Sequence, residues 1–113
     1  MIKVALSLPP SVNSLYANVG RKRVKTAKAR RWHDTAAWQI KLAAGRIRIE
    51  GPWAIGVVLP RSMRGDCDNR LKPILDAAVA SGCVIDDSHC MGVTVTRTGE
   101  ATDSAVITIT EAT

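Results

Sequence analysis

The chain has 113 residues, of which 46% are hydrophobic and 23% charged, and its net charge is +6. This composition supports one packed domain and excludes a disordered chain. The three cysteines, Cys67, Cys83 and Cys90, form no C-x-x-C pair and are odd in number, which favours free thiols over a disulfide framework.

The chain starts with MIKVALSLPP, whose apolar run is too short for a signal peptide. Further along, Asn and Gly interrupt every candidate for a membrane span near the N-terminus. We therefore expect a soluble, intracellular protein with no membrane partner.

In the first half, residues 2–8 alternate loosely before two prolines and predict a strand. Residues 11–25 are predicted to form a long exposed loop, a kind of segment that is often functional. Thr26 is then expected to cap a helix over residues 27–44, with Gly45 just past its end. Its predicted apolar stripe consists of Trp32, Ala36, Ile40 and Ala43.

In the second half, residues 53–59 are apolar and β-branched and predict a buried strand. Residues 46–50 fit either an edge strand or an irregular link. Pro73 suits the first turn of a second helix ending near residue 80, before Gly82. Its predicted buried side consists of Leu71, Ile74, Leu75 and Val79.

Two alternating runs, residues 93–97 and 105–110, flank a turn-rich segment and predict a hairpin. The element order indicates a small single domain over residues 1–113, of α/β or α+β class. We expect a mixed sheet of about four to five strands packed by two helices.

The charge is unevenly distributed along the chain. Residues 1–50 carry eleven Lys or Arg and two acidic residues, whereas residues 51–113 carry five basic and eight acidic residues. The basic half suits a polyanion and the acidic half suits a cation, so nucleic acid together with a metal ion would satisfy both. The basic cluster consists of Arg21, Lys22, Arg23, Lys25, Lys28, Arg30 and Arg31. Its alternative interpretation is a solvated loop and helix face.

The stretch G-D-C-D-N-R-L-K directly follows the predicted buried strand. If this stretch is extended, Asp66 and Asp68 share one face and Cys67 points towards the packing. Two carboxylates on one face repel each other unless a hard cation lies between them, and Mg²⁺ or Mn²⁺ prefers such ligands. The stretch therefore predicts a metal site.

A second acidic pair, Asp86 and Asp87, follows the second helix and is expected to add a carboxylate to that site. Lys72, four residues after Asp68, would lie one helical turn along. Carboxylates, metal and ammonium together indicate phosphodiester hydrolysis. In the alternative interpretation, Asp68 is only a helix cap and the acidic pair is only a solvated turn.

Other metal sites fit the sequence poorly. An EF-hand would require an acid or amide at Arg70, a Gly at Leu71 and a Glu at Ala77. Zinc would require a fourth ligand beside Cys83, His89 and Cys90, and the sequence offers none at a useful spacing.

Taken together, L-P-P-S-x-N, then G-D-C-D-N-R-L-K-P-I-L-D-A, then V-I-D-D-S resemble the RusA family of Holliday junction resolvases over nearly the whole chain. By this resemblance, Asp66, Asp68, Lys72 and Asp87 are the catalytic set. The metal ligands would be Asp66, Asp68 and Asp87, with Asp86 as a further candidate. Asn69 would support the site beside the DNA.

The resemblance also implies a Mg²⁺ cofactor, for which Mn²⁺ can substitute, with no small-molecule cofactor. It implies a homodimer that nicks a DNA four-way junction on two strands, in the cytoplasm of a bacterial or phage-infected cell. Symmetry supports this, because a two-fold dimer matches a two-fold junction.

Three questions stay open at this stage. Another metal-dependent nuclease, acting on flaps, branched DNA or RNA, would use the same residues. A non-catalytic DNA-binding protein would keep the basic residues but has no use for carboxylates facing phosphates. The sequence also does not identify the residue that opens the junction, because aromatic residues, which could stack on bases, are few. Tyr16 is the candidate.

Overall fold

The computed structural model of the chain describes residues 1–11, 16–19, 22–100 and 103–112. The regular elements are β1 (Ile2–Ser7), β2 (Tyr16–Val19), β3 (Lys22–Lys25), α1 (Ala27–Ala44), β4 (Trp53–Pro60), a 3₁₀ helix (Cys67–Arg70), α2 (Leu71–Ala80), a 3₁₀ helix (Asp87–His89), β5 (Cys90–Gly99) and β6 (Ser104–Glu111). Within the described ranges, β1, β6, β4 and β5 form a mixed sheet in that order. The predicted class, a small α+β domain with a mixed sheet and two helices, is confirmed.

The segment predicted as a long loop contains a hairpin instead. Strands β2 and β3 pair antiparallel and form a separate two-stranded sheet. Its residues include Asn, Ala and several cations rather than an apolar alternation, so the strand pattern is absent from the sequence. The antiparallel backbone pairing defines these strands.

Helix α1 has the predicted bounds. The hydroxyl oxygen of Thr26 accepts a hydrogen bond from the backbone N–H of Ala29 at 3.1 Å, and Gly45 ends the helix at φ 58°. The buried stripe runs through Ala36, Ile40 and Ala44, whereas Ala43 is exposed. The prediction of Ala43 was wrong: residues three and four apart both lie on one helix face, and here the buried positions continue at a spacing of four.

Strand β4 and helix α2 also form where predicted, with small differences at their ends. Helix α2 starts two residues before Pro73, which is buried in its first turn, and Gly82 at φ 82° follows its end. The residues of α2 that are most buried are Pro73, Ile74, Ala77 and Ala78, while Leu71, Leu75 and Val79 pack against the core from its margin. Residues 46–50 are irregular apart from one parallel bridge, Ile49 to Val84.

The predicted hairpin of the last two strands was wrong. Strand β5 pairs parallel with β4, and β6 pairs antiparallel with both β1 and β4, so β4 separates β5 from β6. The alternation of residues identifies strands but not their partners. Placing β4, the most apolar strand, between two neighbours satisfies both of its backbone edges inside the sheet.

The core lies on one face of the sheet. Register places Ile2, Ile109 and Ile55 side by side, and all three are buried. Helix α1 packs on β1 and on α2 over this face. The opposite face carries half-buried residues such as Thr108 and Val58. The result is a two-layer domain with its helices on one side.

All three cysteines are free thiols, as predicted. Neither helix of the described residues combines the length and apolar character that crossing a membrane requires.

Candidate active site

The first acidic pair lies on the connection from β4 to α2. Gly65 has φ 92°, a backbone conformation that glycine adopts without steric cost. Asp66 follows in extended conformation, and the 3₁₀ helix Cys67–Arg70 starts directly after it. The pair is therefore not extended throughout, as the alternation argument assumed. Cys67 nevertheless packs against the core, as expected, while Asp66 and Asp68 are exposed.

Neither the Asp66 nor the Asp68 carboxylate caps a helix. Asp66 is the residue before the 3₁₀ helix but makes no side-chain cap bond, and Arg70 occupies the position before α2. No hydrogen bond or ion pair engages the Asp66 or Asp68 carboxylate among the described residues. Two exposed, unpaired carboxylates thus lie two residues apart.

Two arginines fix the backbone of this loop. The guanidinium of Arg70 donates to the carbonyl of Pro9, and that of Arg97, on β5, donates to the carbonyl of Gly65. The backbone N–H of Asn69 donates to the Asp66 carbonyl at 3.1 Å. The loop is therefore held by the segment after β1, by β5 and from within, which reduces the conformational entropy that a bound ligand must overcome.

Lys72 lies in the first turn of α2, which starts directly after residues 65–70; we call these residues the acidic loop. Its Nζ is 3.4 Å from Oδ2 of Asp76, and the two side chains are 55% and 37% exposed. The ammonium is thus paired along the helix rather than with Asp66 or Asp68. A cation in the first turn also opposes the helix dipole, so the position is not explained by helix stability.

The second acidic pair lies beside the start of β4. Trp53, which is fully buried, donates from its indole Nε1 to the carbonyl of Asp86 at 3.0 Å. The Asp86 Oδ1 accepts from the Ser88 hydroxyl at 2.6 Å and lies 2.6 Å from the His89 Nδ1. These hydrogen bonds hold the pKa of Asp86 below its ordinary value of 3.8, and the bond from Ser88 has the largest effect. The Asp86 carboxylate is thus solvent-exposed and engaged by the next residues of its own turn.

Asp87 begins the second 3₁₀ helix and is exposed. Its carboxylate has no hydrogen-bond or ion-pair partner in the described part of the chain. It resembles Asp66 and Asp68 in this respect.

The two acidic pairs are not brought together within one chain. Strands β4 and β5 are parallel, with Trp53 opposite Cys90 and Pro60 opposite Gly99. Asp66 and Asp68 follow the end of β4, whereas Asp86 and Asp87 precede the start of β5, so the pairs belong to opposite ends of these strands. The described residues accordingly contain no group of three or more His, Cys, Asp or Glu able to hold a metal ion.

A comparison with protein-family models matches residues 7–110 to the endodeoxyribonuclease RusA family. The chain belongs to the RusA family. A comparison with curated proteins returns no match. Membership supports an endodeoxyribonuclease that resolves Holliday junctions, and a nuclease of this kind suggests a need for a divalent metal.

In this RusA-family chain, the described members of the basic cluster fall on β3 and the start of α1. Lys28, Arg30 and Arg31 are exposed on the helix, and Arg30 donates to the carbonyl of Lys25 at 2.7 Å. Arg21 lies outside the described residues. The same holds for the side chains of Tyr16, Lys22 and Arg23, whose backbones form the hairpin.

The arginines that hold the acidic loop were not predicted from the sequence. Arg70 lies inside the RusA motif, between the aspartates and Lys72. Its position in the motif was the signal that could have indicated a role at the site. Arg97 stands in an ordinary strand pattern, and its contact with Gly65 depends on the parallel pairing of β4 with β5.

Proposed function

We propose that this chain is a metal-dependent resolvase of DNA four-way junctions, acting as a homodimer in which each protomer hydrolyses one strand. The observation that carries the proposal is the pair Asp66 and Asp68. Both carboxylates are exposed and unpaired among the described residues, and they lie on a loop whose backbone two arginines hold. A protein that only binds DNA would gain nothing from unpaired carboxylates on a fixed loop, because carboxylates repel phosphate.

The two carboxylates fit Mg²⁺, with Mn²⁺ as a substitute. Mg²⁺ is typically bound by one or two carboxylates together with water and substrate phosphates. Such an ion would activate water and shield the charge of the phosphate. Asp66 and Asp68 would hold it, and Asp87 is the third proposed ligand. Asp86 is a weaker candidate, because Ser88 and His89 already occupy its Oδ1.

Lys72 is proposed to stabilise the negative charge that develops on the phosphate during hydrolysis. It follows Asp68 by four residues on the same loop-helix junction. Its ion pair with Asp76 is solvent-exposed and therefore weak, so a phosphate can compete for the ammonium.

A homodimer would explain how Asp87 can join a site from which it is separated within one protomer. One protomer holds Asp87 at the opposite end of the β4–β5 pair from Asp66 and Asp68. In a two-fold dimer, any contact between two different patches occurs twice. We propose that Asp87 of one protomer joins the Asp66 and Asp68 pair of the other, giving two equal sites for two nicks.

The basic cluster is proposed to bind the DNA backbone. Its described helical members, Lys28, Arg30 and Arg31, are exposed, and cations of this kind neutralise phosphates irrespective of sequence. Asn69, within the acidic loop, is proposed to contact DNA next to the scissile phosphate.

The first test is resolution of an end-labelled mobile four-way junction with Mg²⁺, with Mn²⁺ and with chelator. We expect paired nicks that require the metal. Asp68→Asn should abolish cleavage and leave junction binding intact or tighter, because the amide weakens metal binding and removes repulsion against phosphate. Asp103→Asn, another exposed carboxylate, is the matched control and should cleave normally.

The same assay separates the remaining alternatives. Equal cleavage of linear duplex, flap or RNA substrates would indicate a different nuclease, and binding without cleavage in any metal would indicate a DNA-binding protein. Near-normal cleavage by Asp68→Asn would remove Asp68 from the site.

A second test addresses the dimer. Inactive Asp68→Asn and inactive Asp87→Asn proteins are mixed and allowed to exchange subunits. If each site uses residues of both protomers, each mixed dimer contains one site with both carboxylates intact and nicks one strand. No recovered nicking would place Asp68 and Asp87 in the same protomer's site.

A further inference from the structure

A groove that none of the proposed site residues uses runs past the carboxyl ends of α1 and α2. It consists of two adjoining cavities of about 280 and 300 Å³, which share Lys41 and Ser81. We call it the Trp38 groove. The residues that define it are Trp38, Lys41, Arg46, Arg48 and Ser81.

The groove carries concentrated positive charge. Lys41, Arg46 and Arg48 are all exposed, and none has an ion-pair partner in the part of the chain that the structure describes. The carboxylate that lines the groove is Asp34, in the cavity that Arg46 and Arg48 do not line. The end formed by the two arginines is therefore suited to a polyanion.

Trp38 adds an exposed aromatic ring beside Lys41, which also lines the cavity of the two arginines. Its side chain is 58% exposed, and the Lys41 Nζ lies 5.7 Å from its ring centroid. The other two tryptophans have structural roles: Trp53 is fully buried, and Trp32 donates to the Ser7 carbonyl at 2.9 Å. An exposed ring next to cations is the combination that single-stranded DNA contacts by stacking and phosphate binding.

The groove also lies close to the second acidic pair. The backbone N–H of Ile49 donates to the Cys83 carbonyl at 2.7 Å, and Ile49 bridges to Val84. This pairing places Arg48 beside the segment that leads to Asp87. Asp87 follows Val84 by three residues, at most about 10 Å of extended chain.

We propose that the Trp38 groove binds an unpaired segment of the DNA substrate, with one base stacked on the Trp38 ring and its phosphates held by Lys41, Arg46 and Arg48. This inference rests on the proposed function for the identity of the DNA. It assigns to Trp38 the role of accepting a base that leaves the duplex at a branch point, for which the sequence suggested Tyr16.

The probe for the test is an oligodeoxythymidylate in chelator, read by quenching of tryptophan fluorescence and by affinity. Trp38→Leu should weaken binding at least about fivefold, the lower end of what one stacked base contributes. Trp38→Phe should retain most of the affinity, because it keeps a ring. Leu42→Ala, an equally exposed apolar residue of α1 that lines neither cavity, is the matched control.

The cations are tested separately. Arg46→Gln with Arg48→Gln should flatten the plot of log affinity against log salt by about 1.4 for single strands, or about 0.7 for each phosphate contact. Lys3→Gln, an exposed cation on β1, should leave that slope unchanged.

Unchanged affinity and quenching in Trp38→Leu would overturn the inference. It would also be overturned if Trp38→Leu shifted sedimentation from dimer to monomer, because the groove would then be an interface between copies of the chain. The junction cleavage assay of the wild-type protein tests the proposed function, and its result does not depend on the oligonucleotide-binding test of the groove. Oligonucleotide binding through Trp38 without junction cleavage would refute the proposed function and support the groove.

Discussion

Replacing Lys72 by Ala should change the cleavage rate strongly and the free energy of unfolding only slightly. The ion pair with Asp76 is exposed at both ends and has the less favourable order, with the cation first along the helix. Such a pair contributes about 0.3–0.5 kcal/mol at most, and the cation opposes the helix dipole in the first turn of α2. Alanine also has the highest helix propensity. We expect the free energy of unfolding to change by less than about 0.5 kcal/mol in either direction, a Tm change of at most about 4 °C.

The rate should respond very differently. If Lys72 stabilises the developing negative charge, its loss should lower single-turnover junction cleavage about 100-fold or more, the usual cost of removing one such group. Junction affinity measured in chelator should fall little, because the contact strengthens in the transition state.

The control is Asp76→Asn, which removes the same ion pair but keeps the ammonium. This variant should cleave at a rate within a factor of about three of the wild type, because an exposed pair holds Lys72 only weakly. The reasoning is refuted if Lys72→Ala loses binding as much as rate, which would make Lys72 a simple phosphate contact. It is equally refuted if Asp76→Asn loses as much rate as Lys72→Ala.

Three further outcomes are expected. Replacing Arg21, Lys22 and Arg23 together by Ala should flatten the salt dependence of duplex binding by roughly 2–3 units of slope, and an unchanged slope would make this cluster a solvated segment. Gly65→Ala should lower stability by about 1–2 kcal/mol in thermal unfolding, because a side chain is strained at φ 92°; an unaltered Tm would contradict this. Asp86 has a lowered pKa, so its hydrogen bonds stabilise the fold above its ordinary value of 3.8 and are lost as pH falls through the lower folded value. Asp86→Asn should therefore be less stable than the wild type near neutral pH, with the difference shrinking as the pH falls below 3.8, and a constant difference would argue against this ionisation.

Local signals in the sequence determined the helices and most strands. A capping Thr26, a terminal Gly45 and a helical apolar period define α1, and the apolar run of β4 defines a buried strand. These features depend on neighbours within a few residues, so a single sequence contains them. The same holds for the motif around Asp66 and Asp68, whose chemistry follows from residue type and spacing.

Tertiary structure decided which elements become neighbours. Whether β6 pairs with β5 or with β4 depends on hydrogen bonds between strands distant along the chain, and alternation is the same in both cases. The parallel pairing of β5 with β4, equally distant along the chain, sets Asp87 at the opposite end of the β4–β5 pair from Asp68 and brings Arg97 to the Gly65 carbonyl. The sequence thus determined which groups are available for chemistry, while long-range pairing determined which of them one protomer can bring together.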